Sequence, residues 1–143
     1  MYEISKEEVF QAWELVKKAQ GGAGFDRQTI QDVALDLENQ LYKIWNRMSS
    51  GSYMAQPVLL INIPKAGGTR TLGIPNVTDR VAQMVIKNRL EQILEPKFHE
   101  NSYGYRPNKS AIDAVGQARE QCFKSKWVID LDITLITWIM NLR

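Results

Sequence analysis

The chain has 143 residues, 44% of them hydrophobic, and a formal net charge of +2 from 18 Lys and Arg against 16 Asp and Glu. That length supports one sizeable core, and that composition excludes collagen-like, low-complexity and wholly disordered chains. No apolar run approaches the ~20 residues of a membrane-spanning helix, and the single Cys122 can form neither an internal disulfide nor a multi-cysteine zinc cage, so a soluble, cytoplasmic protein is expected.

In chain order, Ser5 followed by Glu8 has the spacing of a capping box, and Val9, Ala12, Trp13 and Val16 continue at helical period until Gly21-Gly22. Gly21 to Arg27 reads as a loop. Thr29 and Asp32 repeat the capping pattern, and Val33, Leu37, Leu41, Ile44, Trp45 and Met48 predict one amphipathic helix ending at Ser49-Ser50-Gly51. The period then changes. Val58 to Ile63 and Arg70 to Ile74 predict a β-hairpin with Ala66-Gly67-Gly68 at its tip, Pro64 and Pro75 just past the strands, and Lys65 and Arg70 beside the tip.

Residues 79 to 98 predict a long helix, with Val81, Val85, Ile86 and Leu90 on its apolar side and Pro96 marking its end. A polar, aromatic loop from His99 to Asn108 leads to Ser110 and Asp113, a third capping box, and a helix to about Lys124. Trp127 to Ile133 has the pattern of a strand with Asp130 and Asp132 on one face. Trp13, Trp45, Trp127 and Cys122 are expected to be packing residues, and His99 a surface or capping group.

Charge divides unevenly along this order. Residues 1–55 carry 6 Lys and Arg against 8 Asp and Glu, residues 56–126 carry 11 against 6, and residues 127–143 carry 1 against 2. A basic middle suits a polyanionic partner, and it also suits ordinary solvated helix faces. Lys65 and Arg70 could be solubilising cations or phosphate ligands. Arg80 and Gln83 share a helix face, while Tyr103, Tyr105 and Arg106 interleave aromatic and cationic groups as loops that stack on bases do.

Six segments in order resemble the N-terminal part of a reverse transcriptase of the group II intron type, whose members also act as maturases. They are Gly21 to Asp26, Ile63 to Pro75, Asp79 to Gln83, Ser102 to Pro107, Ser110 to Ala114 and Val128 to Ile133. The resemblance implies an α+β fold, the fingers subdomain of a right-hand polymerase, with residues 1–126 as the fingers region, 127–133 as the first, truncated palm strand and 134–143 as a divergent tail. It implies that Lys65 and Arg70 bind the incoming nucleotide, that Arg80, Gln83, Tyr105 and Arg106 contact nucleic acid, and that Asp132 is a remnant catalytic residue and Mg²⁺ ligand. Implied partners are RNA template or intron RNA, DNA primer and dNTP, with no membrane. Phosphoryl transfer needs cations on the phosphates and metals on the reacting oxygens, which agrees with that layout.

The resemblance stops after Ile133, where Thr134-Leu135-Ile136-Thr137-Trp138 replaces the family's lysine, glycine and aromatic residues, and no Tyr-x-Asp-Asp motif occurs. Mg²⁺ is held by several oxygens, so Asp132 alone is not expected to bind it stably. The expectation is a polymerase fragment that is not competent alone. A maturase-like RNA-binding module and a truncation product stabilised by self-association, as a homodimer, stay open beside it.

Overall fold

The computed structural model describes residues 3–131. It comprises α1 (Lys6–Ala19), α2 (Ile30–Leu35), α3 (Leu37–Ser50), β1 (Leu59–Lys65), β2 (Gly68–Ile74), α4 (Val77–Leu94), a 3₁₀ turn (Glu95–Lys97) and α5 (Ala111–Lys124). The expected α+β class holds as helices plus one two-stranded antiparallel sheet. The chain divides into two compact units, Met1–Pro96 and Lys97–Arg143. Among the described residues no helix is long and apolar enough to cross a membrane.

All three capping boxes form. Ser5, Thr29 and Ser110 each accept from the backbone N–H three residues on, and Glu8, Asp32 and Asp113 reach back to the cap N–H. These reciprocal bonds satisfy donors that a helix start otherwise leaves open. The single helix expected over residues 29–50 is instead two, because the backbone leaves the helical region at Asp36, with φ −124° and ψ 39°. There the Asp36 carboxylate accepts from the Asn39 amide at 3.1 Å, one of the local side-chain bonds by which aspartate competes with a helix.

The core of the first unit is one cluster. Val9, Ala12, Trp13 and Val16 of α1 meet Val77, Val81, Ala82 and Val85 of α4, with Val33, Ile44 and Met48 completing it. Trp45 is half-buried against this cluster and donates Nε1–H to the Ile4 carbonyl at 2.8 Å. Arg89 on α4 reaches Glu8 on α1 with two bonds, Nε to Oε1 at 2.7 Å and Nη2 to Oε2 at 2.9 Å. It also donates to the Glu3 carbonyl.

The Arg89 bonds first, and then the Ser5 N–H, hold the Glu8 carboxyl at about 2 against its ordinary 4.5. A carboxyl depressed in the folded state contributes stability above its unfolded value and loses it as pH falls through the folded one. In urea unfolding, the stability gap between the native chain and Glu8→Gln is therefore expected to be full above pH 4.5 and to close between pH 4.5 and about 2. A gap that persists unchanged to pH 2 would count against the pairing.

Several expectations are corrected. Pro64 lies within β1, opposite Thr69, where a proline is tolerated because both strands of a two-stranded sheet are edges. Residues 127–131 form no ladder with any described strand, since strand geometry alone does not make a sheet without a partner's hydrogen bonds. Ile133 and the tail 134–143 lie outside the described residues. Trp127, beyond the end of α5, is 90% exposed, and Cys122 is exposed on α5, none of whose residues is buried among the described residues.

Candidate nucleotide and nucleic-acid interface

The hairpin is built so that its cations share a side. Residues opposite one another in an antiparallel pair point to the same face, and faces alternate along each strand. Ile61 faces Leu72, Ile63 faces Arg70, and Lys65 faces Gly68, so Lys65 and Arg70 are diagonal neighbours on one face with Ile61, Ile63 and Leu72 behind them. The other face is mixed, carrying Leu60 and Pro64 beside Asn62, Thr69 and Thr71, with the Thr71 hydroxyl donating to Asn62 Oδ1 at 2.8 Å. Gly67 takes φ +88° at the tip, a left-handed backbone that glycine adopts without penalty. Neither Lys65 nor Arg70 is ion-paired among the described residues, and both are exposed.

The hairpin grows from the start of α4, and three residues there bind the chain around it. Asp79 is buried, accepting from the Tyr53 hydroxyl on Oδ1 at 2.6 Å and from the Gln56 N–H on Oδ2 at 3.1 Å. Burial first, and then the bond to Asp79 and its charge, push the Tyr53 phenol well above its ordinary value. Asn76 is buried and accepts on Oδ1 from the Asp26 N–H at 3.3 Å. Arg80 donates to the Gly22 carbonyl.

That arrangement explains the glycine loop. A Cβ at Gly21 would overlap the Arg80 guanidinium, and one at Gly24 would lie 2.6 Å from the Asn76 Cα. Arg80 is thus turned onto the loop, its Nε buried without a hydrogen-bond partner among the described residues. Burial lowers its pKa, with the Asp26 charge opposing that. Gln83, one turn on, is exposed at the edge of a cleft that Ile86 and Leu90 also line.

In the second unit, Arg106 organises its own loop. Its Nη1 donates to the carbonyls of His99 at 2.7 Å and Ser102 at 3.0 Å, and its guanidinium lies 5.2 Å from the Phe98 ring centroid. Lys109 likewise donates to the Glu100 carbonyl at 2.6 Å and sits over the Tyr103 ring. His99 Nδ1 accepts from the Asn101 N–H, the local capping role expected of it. Tyr105 is left fully exposed with φ +54°, a left-handed backbone that bulky residues rarely take.

Asp130 is exposed, and Asp132 lies outside the described residues. Among the described residues no group of three or more His, Cys, Asp or Glu is placed to hold a metal ion.

Local sequence patterns miss Asp79, Tyr53 and Asn76, because aspartate near a helix start reads as a dipole partner. The signal that marks Asp79 is its two bonds to residues 23 and 26 positions earlier in the chain.

The family described as reverse transcriptase (RNA-dependent DNA polymerase) matches residues 63–135, just over half of the chain. The group II intron-encoded protein LtrA of Lactococcus lactis is 34% identical over 98 residues, covering 67% of this chain and 16% of LtrA. A COX1/OXI3 intron 1 protein of Saccharomyces cerevisiae is 33% identical over 102 residues, covering 69% of this chain and 12% of that protein. Protein YkfC of Escherichia coli is 33% identical over 113 residues, covering 75% and 29%. The chain thus spans between 12% and 29% of the length of these relatives.

Proposed function

Because the chain belongs to the reverse transcriptase family, in its group II intron-encoded, maturase-bearing branch, we propose that it supplies the fingers contacts of an RNA-directed DNA polymerase. The observation that carries this is the shared face of Lys65 and Arg70, two cations on an exposed hairpin that are not ion-paired among the described residues. Two positive charges held side by side suit the phosphates of an incoming dNTP, since charge-assisted bonds to phosphate are stronger than neutral ones.

Arg80, Gln83, Tyr105 and Arg106 complete the reading as contacts for RNA template or intron RNA and DNA primer. Tyr105 offers an unobstructed ring for stacking on a base. Arg80 and Arg106 act through the loops they hold and lend their positive charge to the phosphates. Asp132 is the family's metal position, where Mg²⁺ would supply charge stabilisation on the phosphates. Residues 1–126 make the fingers, 127–133 the start of the palm and 134–143 a divergent tail. Self-association as a homodimer would cover the apolar groups of α5, and the lone Cys122 suits a reducing, cytoplasmic setting.

These 143 residues on their own are expected to incorporate no nucleotide on a primed RNA template with Mg²⁺, because they contain no Tyr-x-Asp-Asp motif to supply the remaining carboxylates. They are expected to bind the RNA–DNA hybrid nonetheless, in a salt-sensitive way. Template-dependent extension lost in Asp132→Ala would overturn the first statement. An RNA–DNA affinity untouched by Lys65→Ala and Arg70→Ala would overturn the second.

A further inference from the structure

We propose that Asp79 is the positioning residue that aims the hairpin, and with it Lys65 and Arg70. This rests on the phosphate-binding role proposed above for those two cations. The hairpin cannot fix its own direction. Among the described residues β1 and β2 pair only with each other, and every residue of both strands is exposed except Leu59 and Ile74 at the base, which are partly buried. A two-stranded hairpin with both faces in water swings about its root unless the root is clamped.

The clamp is at that root. The chain leaves the hairpin directly into α4 through Pro75 and the buried Asn76. It enters through residues 53–58, and that incoming segment is tied to the same helix by Asp79 alone of the helix's carboxylates, through the Tyr53 hydroxyl and the Gln56 N–H. Entry and exit are therefore pinned to the first turn of one helix, about 3.6 residues. Both oxygens of a carboxylate only 3% exposed are spent on this. A buried charge so placed is costly unless its bonds are made, so the geometry that satisfies Asp79 also fixes the approach of β1.

The experiment uses the full 143-residue chain with Cys122→Ser and spin labels at Ala66→Cys on the hairpin tip and Glu14→Cys on the exposed side of α1. Without nucleotide, the native background is expected to give one narrow tip-to-helix distance distribution by pulsed electron resonance. Tyr53→Phe and Asp79→Ala are each expected to broaden it at least about twofold, with Asp79→Asn, which keeps one acceptor, lying between. Circular dichroism reports whether the helices remain. Should Asp79→Ala fail to fold, Tyr53→Phe, which deletes one oxygen, decides alone.

A distribution as narrow in Tyr53→Phe as in the native chain overturns the proposal. Binding of inorganic triphosphate is read in parallel. Broadening with a weaker triphosphate affinity supports both readings, while broadening with an unchanged affinity supports the clamp and overturns the phosphate role of Lys65 and Arg70.

Discussion

Gly24→Val is expected to lower stability by about 2–3 kcal/mol, seen as a fall in the urea midpoint at constant slope. A Cβ at this position would sit 2.6 Å from the Asn76 Cα and 2.7 Å from its backbone nitrogen. Those backbone atoms belong to the residue that caps α4 and cannot move aside as the end of a long side chain can. Gly24 is itself buried, so the added methyl groups have no route to solvent. Gly22 is the control, because a Cβ there meets nothing within 4 Å, and Gly22→Ala should be close to neutral. Equal midpoints for Gly24→Val and Gly22→Ala would mean that the loop does not press against α4.

Lys65→Ala with Arg70→Ala is expected to reduce the slope of log affinity against log salt for an RNA–DNA hybrid by roughly 1.4–1.8, at roughly 0.7–0.9 for each phosphate no longer neutralised. The fall in affinity should be largest at low salt, where counterion release contributes most. Lys17→Ala with Lys18→Ala removes the same charge from the end of α1, and it separates a local site from net charge. If both double variants change the slope equally, the hairpin is not the phosphate site.

What was legible in the sequence was local. The three capping boxes form because both members lie within one helical turn, and the hairpin register follows from glycines at the tip and alternation along the strands. The break at Asp36 was not legible, since Val33, Leu37, Leu41, Ile44 and Met48 keep helical spacing across it. Packing expectations held on α1, where Trp13 is fully buried, and failed for Trp127 and Cys122, whose apolar pattern has no partner surface among the described residues. At the candidate site, Lys65 and Arg70 were readable as cations beside a turn. The fastening of Tyr53, Gln56 and the glycine loop to Asp79, Asn76 and Arg80 was not, because it joins residues 23 to 58 positions apart.

The packing of α1 on α4 also sets a timetable during synthesis. Val9, Trp13 and Val16 are covered by Val77, Val81 and Val85, so α1 leaves the ribosome well before the helix that covers it. At roughly 5–20 residues per second, the 75 residues from Ala19 to Leu94 take about 4–15 seconds to follow. For that interval the nascent α1 presents an indole and two valines to whatever is nearby. A holding chaperone that favours short apolar helices would find its target in residues 9–16, and would lose it when α4 emerges.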